Sequence, residues 1–309
     1  MSRRLRSAIC SAAIFAAEAQ PHEAVLRDAL DHRARHPLRR QHVRRQPYRQ
    51  PGATQCCLRA PVWRRPPLAE VTEDRVLGGE VVLWQPKRGF RANADSILLA
   101  AFAATGKPAR RLLDLGAGTG VVGLCLLRKS WAERATLVEA DALSAELLVR
   151  NVTANKLADR AEARAARIEN RGAFDGHGFD AVVMNPPYGQ AGRGRPAAPE
   201  RRAAREGDLS LFARAARRGL TSTGTVYLCY PARELAHALS TLRAAKLEPK
   251  RMRLVFATEG AMARLALIAA RAGNPGALDI EPPLVERVGN TPSAEGARLL
   301  SGNFGPATR

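Results

Sequence analysis

The sequence predicts an α/β fold in which a mostly parallel sheet carries helices on both faces and ends in an antiparallel hairpin. From residue 109 to residue 245, short apolar runs alternate with stretches of helical periodicity, as in successive β–α units. The first unit has a glycine-rich turn between its strand and its helix. Two apolar runs, 251–257 and 263–271, are joined by a short polar connection, which predicts the hairpin.

Each element follows from a local pattern. The run 80–86 alternates as a strand does, and Asn93 or Asp95 can cap the helix that follows. The run 110–116 contains Leu112, Leu113 and Leu115, as expected of a buried parallel strand. The predicted elements between the first strand and the C-terminal hairpin are helix 93–105, strand 110–116, helix 121–130, strand 135–141, helix 143–157, strand 161–168, strand 179–185, helix 209–220, strand 224–230 and helix 232–245.

Charge is distributed unevenly along the 309 residues, which carry a formal net charge of +20. Residues 1–66 contain 14 Arg, no Lys and four acidic residues, without sustained periodicity, so we expect an Arg-rich extension that is disordered or extraneous. An RNA-gripping arm and an export signal at the extreme N-terminus are the alternatives. We expect a folded domain over 67–295 and a flexible tail over 296–309.

The composition limits the possible partners and the compartment. The basic charge favours a polyanionic partner, and it favours nucleic acid over a membrane. No apolar stretch reaches the roughly 18 residues of a membrane span. The five cysteines show no ligand spacing, so we expect neither a metal site nor a disulfide framework, and the cytoplasm fits best. A monomer is favoured.

The turn after strand 110–116 carries the first chemical signal. Asp114 precedes three glycines, Gly116, Gly118 and Gly120, whose missing side chains let a ligand approach the backbone. The next strand ends near Glu139, where a carboxylate can accept hydrogen bonds from both hydroxyls of a ribose. Together these residues predict a site for an adenosyl cofactor.

This glycine spacing resembles the first motif of class I AdoMet-dependent methyltransferases. A dinucleotide site has the pattern GxGxxG, and Val121 occupies the position of its third glycine. This difference disfavours a dehydrogenase. The resemblance implies a Rossmann-like fold with a seven-stranded sheet, and S-adenosyl-L-methionine (AdoMet) as cofactor. The chain departs from the class at Arg167, where an Asp often holds the adenine; Glu169 or backbone groups are the substitutes.

The segment before the first helix resembles that of the bacterial tRNA adenine-N6 methyltransferase group. There, a Phe-Arg-x-Gly-x-Asp pattern covers the methionine end of AdoMet. The matching residues are Phe90, Arg91 and Asp95, with Asn93 in place of the usual Gly. The resemblance implies that these three residues contribute to cofactor binding.

The strand 179–185 ends in Asn185-Pro186-Pro187-Tyr188, which resembles the (D/N)PP(Y/F/W) motif of amino-methyltransferases. The Asn185 side-chain oxygen and the Pro186 carbonyl can each accept one N–H of a planar amine. The prolines hold that carbonyl rigidly, and Tyr188 can stack on a flipped-out base. We therefore expect these four residues to form the catalytic motif, although a proline-stiffened turn would have the same sequence.

The acceptor is less closely defined by the sequence. The resemblance implies N6 of the adenine just 3′ of the anticodon of a valine tRNA. Relatives with the same motif methylate guanine N2 in rRNA or glutamine N5 in release factors, and a non-enzymatic RNA-binding module is a further alternative. An arginine-rich stretch after the motif can bind phosphates, although it can equally be a solvated face. Its predicted RNA-binding residues are Arg193, Arg195, Arg201, Arg202 and Arg205.

Overall fold

The computed structural model describes residues 71–87, 91, 93–187, 209–273 and 275–305. The N-terminal extension predicted over 1–66 lies outside these residues. Within them no helix is both long and apolar enough to span a membrane. The strands are β1 Val71–Val76, β2 Val81–Pro86, β3 Ala109–Leu115, β4 Ala132–Glu139, β5 Ala161–Ala165, β6 Phe179–Met184, β7 Leu220–Pro231, β8 Leu247–Thr258, β9 Ala263–Ala272, β10 Asp279–Ile280, β11 Leu284–Val288 and β12 Thr291–Pro292. The helices are α1 Ala94–Ala104, α2 Val121–Arg128, α3 Ala142–Ala154, α4 Leu209–Gly219, α5 Leu235–Ala244 and α6 Ala294–Leu300.

The main sheet confirms the predicted α/β class. Its strands lie in the order β12-β11-β8-β9-β7-β6-β3-β4-β5, and β10 pairs with β8, which makes ten strands in the described part of the chain. β3, β4, β5, β6 and β7 pair in parallel, and β9 pairs antiparallel with both β7 and β8. The sheet is wider than the predicted seven strands, because β10 and β11 add in parallel to β8. The C-terminal hairpin is therefore not the edge of the sheet.

Helices cover both faces of the sheet, and each face has its own apolar core. α1, α2, α3 and α6 contribute to one core, and α4 and α5 contribute to the other. β3 supplies both cores, since Leu112 belongs to the first and Leu113 to the second, and both are fully buried. A central strand that is buried on both faces explains why adjacent residues, Leu112 and Leu113, are both apolar.

β1 and β2 form a separate two-stranded antiparallel sheet, of which the sequence predicted only β2. Val81 and Leu83 of β2 are buried in the core that α1, α2 and α3 share. The guanidinium of Arg150 on α3 stacks over the ring of Trp84, with its carbon 3.4 Å from the ring centroid. The hairpin is therefore packed onto the domain immediately before the segment that leads to α1.

The flexible tail predicted from residue 296 needs correction. Helix α6 runs through Leu300, and Ser293 caps its N-terminus by accepting a hydrogen bond from the Gly296 N–H. Leu299 and Phe304 are buried in the core that contains α1. Burial of these two apolar side chains orders the segment through residue 305, which a sequence without strong periodicity does not reveal.

Candidate active site

The glycine turn links β3 to α2 at the carboxyl edge of the sheet. Gly116, Gly118 and Gly120 have φ angles of +66°, +57° and +92°, where any other residue costs about 1–2 kcal/mol. A Cβ at Gly120 would lie 2.4 Å from Cδ1 of Leu148, and one at Gly116 would lie 2.9 Å from Cε1 of Phe212. Conformation therefore requires glycine at all three positions, packing also requires it at Gly116 and Gly120, and the backbone of the turn stays bare.

Asp114 lies beneath this turn and is only 2% exposed. Its Oδ2 accepts a hydrogen bond from the Gly123 N–H in α2, at 2.9 Å. Burial raises the pKa of the carboxyl from 3.8 to about 7, the hydrogen bond from Gly123 opposes that change, and the charge of Glu139 adds to it. Asp114 thus joins the end of β3 to the first turn of α2 and fixes the loop between them.

Glu139 closes the neighbouring strand and reaches back to the glycine turn. Its Oε2 accepts from the Gly118 N–H at 2.7 Å, and its Oε1 accepts from the N–H groups of Ala140 and Asp141 at 2.9 and 2.7 Å. A carboxylate offers about four lone-pair sites, and three are engaged here. A ribose diol that binds both oxygens must therefore replace at least one of these backbone donors.

Asn185 follows β6 at the same edge of the sheet. Its Nδ2 donates a hydrogen bond to Oγ of Ser96 in the first turn of α1, at 3.1 Å. Because the amide nitrogen is the donor, the oxygen Oδ1 is the atom left to accept from a substrate. Pro186 is buried and Pro187 half-buried beside it, while Tyr188 and the five predicted RNA-binding arginines lie outside the described residues.

One cavity brings the two predicted motifs together. It is lined by residues that include Ser96, Asp114, Gly116, Thr119, Val121 and Asn185. The lining offers bare backbone and apolar Val121, and the Glu139 carboxylate lies at the end of the neighbouring strand. These are the kinds of group that an adenosyl group with an amino-acid tail requires, so the residue types fit AdoMet. The glycine turn and the motif that begins at Asn185 are almost 70 residues apart in sequence, and both line this cavity.

Asp95, predicted to bind the cofactor, lies in the first turn of α1 next to Ser96. Its Oδ1 pairs with Nη1 of Arg264 at 2.6 Å, and Arg264 also forms a two-pronged ion pair with Glu286 of β11. Neither partner is evident from the sequence, because Arg264 lies 169 residues from Asp95 and belongs to an apolar strand pattern. β9 and the added strand β11 thereby hold the residue that precedes Ser96 of the cavity lining.

The other residues considered for cofactor binding are Phe90, Arg91, Arg167 and Glu169, and the structure describes three of them. Arg91 donates to Oδ2 of Asp74 at 2.5 Å, and to Thr72 and the Pro86 carbonyl, so its guanidinium binds the β1–β2 hairpin. Phe90 lies outside the described residues. At the end of β5, exposed Arg167 pairs with Glu169 at 3.3 Å, which places together the two side chains considered for the adenine end.

Comparison with known proteins gives a family and a fold that are similar to those of this chain. Residues 92–235 match the Methyltransferase small domain family. A predicted O-methyltransferase from Agrobacterium tumefaciens has a similar structure, with a TM-score of 0.56 and 24% identity over 68% of this chain and 96% of that one. The chain therefore has the fold of class I methyltransferases, and its residues 92–235 resemble that class.

Within this class, the chain resembles the bacterial tRNA1(Val) (adenine(37)-N6)-methyltransferases. It is 36% identical to the enzyme of Cronobacter sakazakii over 101 residues, 32% of this chain and 40% of that protein. It is 27% identical to the enzyme of Parabacteroides distasonis over 173 residues, 55% of this chain and 71% of that protein. The match thus spans less than half of the Cronobacter relative.

Proposed function

We propose that the protein is an AdoMet-dependent N-methyltransferase that methylates N6 of an adenine in tRNA. The observation that carries the proposal is the shared cavity, where the glycine turn and Asp114 lie with Asn185. The names of the curated relatives support adenine 37 of a valine tRNA as the target. A cytoplasmic monomer that acts on tRNA and binds no membrane fits this function.

The cofactor would lie along the carboxyl ends of β3 and β4. Gly116, Gly118 and Gly120 would give it bare backbone, and Glu139 would accept the ribose hydroxyls. The resemblance implies that Asp95, which Arg264 holds, would contact the amino-acid end together with Phe90 and Arg91. When bound, AdoMet supplies a sulfonium-activated methyl group, so that alignment rather than activation is the task of the protein.

The acceptor side orients the amine. An exocyclic amine conjugated to a ring is a poor nucleophile, because its lone pair is delocalised. Oδ1 of Asn185 and the carbonyl of Pro186 would accept its two N–H groups and favour tetrahedral geometry, which directs the lone pair into the cavity. Ser96 holds the Asn185 amide in the orientation that leaves Oδ1 for this purpose. Tyr188 would stack on the base.

The experiment is a transfer assay with labelled AdoMet and bulk tRNA from cells that lack the modification. The expected product, after digestion to nucleosides, is N6-methyladenosine. Label in N2-methylguanosine would show that the acceptor is a guanine amine. Label in a release factor and not in tRNA would show a glutamine acceptor, and either result contradicts the adenine proposal.

A further inference from the structure

Two asparagines are buried at the C-terminal end of α3, Asn151 within the helix and Asn155 as its C-cap. Asn151 is 0% exposed and Asn155 is 3% exposed, and they lie one helical turn apart. A buried amide is costly unless its oxygen and nitrogen are hydrogen-bonded. The partners of these side chains therefore show why the helix has them.

Both amides bind the backbone of β2. Asn155 accepts from the Val82 N–H at 2.9 Å and donates to the Val82 carbonyl at 2.7 Å. Asn151 does the same with Trp84, at 2.6 and 3.1 Å. One helical turn advances about 5.4 Å and two strand residues advance about 6.8 Å, so both pairs can form side by side. The two side-chain amides thus pair with backbone N–H and carbonyl groups of β2, as the backbone of a neighbouring strand would.

The second donated hydrogen bond distinguishes the two residues. Nδ2 of Asn155 donates to the carbonyl of Asn151 in its own helix, at 2.8 Å. Nδ2 of Asn151 donates to the carbonyl of Thr119 in the glycine turn, at 2.9 Å. Thr119 lines the cavity that holds Asp114 and Asn185. Of these two asparagines, only Asn151 joins the hairpin to the glycine turn.

We propose that Asn151 is a positioning residue for the cofactor, an inference that rests on the proposed AdoMet site. It holds the Thr119 carbonyl, and with it the glycine turn, against the hairpin through one amide group. Docking of the hairpin then favours the cofactor-binding form of the turn. By linkage, bound AdoMet also stabilises the hairpin, whose last strand leads to the Phe90–Asp95 segment.

The test compares Asn151→Asp with Asn155→Asp. Each change keeps the shape and an acceptor oxygen, and each removes donors to β2. Both variants should lose similar thermal stability. Only Asn151→Asp removes the donor to the glycine turn, so its Kd for AdoMet should rise about 5- to 10-fold, the effect of one hydrogen bond. Isothermal titration at pH 8, well below both melting temperatures, gives the two Kd values.

A second matched pair, Asn151→Ser and Asn155→Ser, serves if an aspartate variant does not fold, and the same selective rise in Kd is expected. Equal Kd values in the two members of a pair would overturn the role of Asn151 while leaving the cofactor site intact. A wild-type protein that binds no AdoMet would instead overturn the proposed function, and the inference with it.

Discussion

The cofactor side and the acceptor side of the sheet edge are built differently. On the cofactor side, Asp114 and Glu139 are tied to backbone N–H groups of the glycine turn and α2. On the acceptor side, the Asn185 side chain is held by one hydrogen bond to Ser96, from a different layer of the fold. The residues on the cofactor side therefore also stabilise the fold, whereas we expect Asn185 to act in the reaction and to contribute little to stability.

The largest expected effect is on stability and comes from the cofactor side. Because burial raises the pKa of Asp114 from 3.8 to about 7, the unfolded chain releases this proton at lower pH than the folded one. Its contribution to stability is full below pH 4 and is lost as the pH rises through 7, by about 4 kcal/mol. Asp114→Asn keeps an acceptor for Gly123 without titrating, so it should flatten this pH dependence.

The measurement is urea unfolding of the cofactor-free protein at several pH values between 4.5 and 8. The Asp114→Asn curve should converge with that of the wild type at the acidic end and be the more stable of the two at the alkaline end. Parallel curves would show that Asp114 is already ionised in the folded protein throughout this range.

Asn185→Ala should have the largest effect on the acceptor side. Loss of one preorganised hydrogen-bonding group at a reacting centre costs about 100- to 1,000-fold in turnover. Stability should change little, because the side chain is only half-buried. Single-turnover transfer to tRNA measures the effect. Asn185→Asp, which keeps an acceptor oxygen, is the control and should retain more activity than Asn185→Ala.

Arg264→Gln tests whether the C-terminal strands support the cofactor side. The change removes the arginine that pairs with Asp95 and Glu286, and should lower stability by about 2 kcal/mol, less than for a fully buried pair since Arg264 is partly exposed. It should also weaken AdoMet binding. Arg253→Gln, which breaks a comparable pair with Glu295, is the matched control and should leave AdoMet binding unchanged. Equal AdoMet affinities in both variants would remove Asp95 from the cofactor site.

The smallest effect is expected for Ser96→Ala. Loss of its hydrogen bond leaves the Asn185 amide less well oriented. The activation free energy should rise by about 1 kcal/mol, which is about a fivefold loss of turnover. The affinity for AdoMet should stay within twofold of that of the wild type, because the change removes only one hydroxyl from the cavity lining. An unchanged turnover would show that Pro186 and the strand end orient the amide without Ser96.

The site was predictable where its signal is local. Asp114 and Glu139 lie at the ends of buried strands, and the three glycines and Asn185 come directly after such strands. Parallel strands place their carboxyl ends at one edge. Asn151 gave no such signal, because a polar residue on a helix is usually solvated and its role depends on a hairpin 67 residues away. Arg264 was hidden likewise, since its partners lie on α1 and β11.

The predictable part of the fold has the same physical limit. The strands from β3 to β9, apart from the short and partly charged β5, are apolar enough for periodicity to reveal them. β10 and β12 have two residues each and exist because β8 and β11 offer a free edge. Helix α6 is only seven residues long, and burial of Leu299 in the core, rather than its periodicity, holds it in place.

Isothermal titration of AdoMet into Asn185→Ala and Glu139→Gln tests the division between the two sides most directly. We predict that Asn185→Ala binds AdoMet within about threefold of the wild type, since its amide serves the acceptor. Glu139→Gln should bind about 10-fold more weakly or worse, because charge-assisted hydrogen bonds to the ribose are lost. Loss of binding in Asn185→Ala together with wild-type affinity in Glu139→Gln would contradict the account.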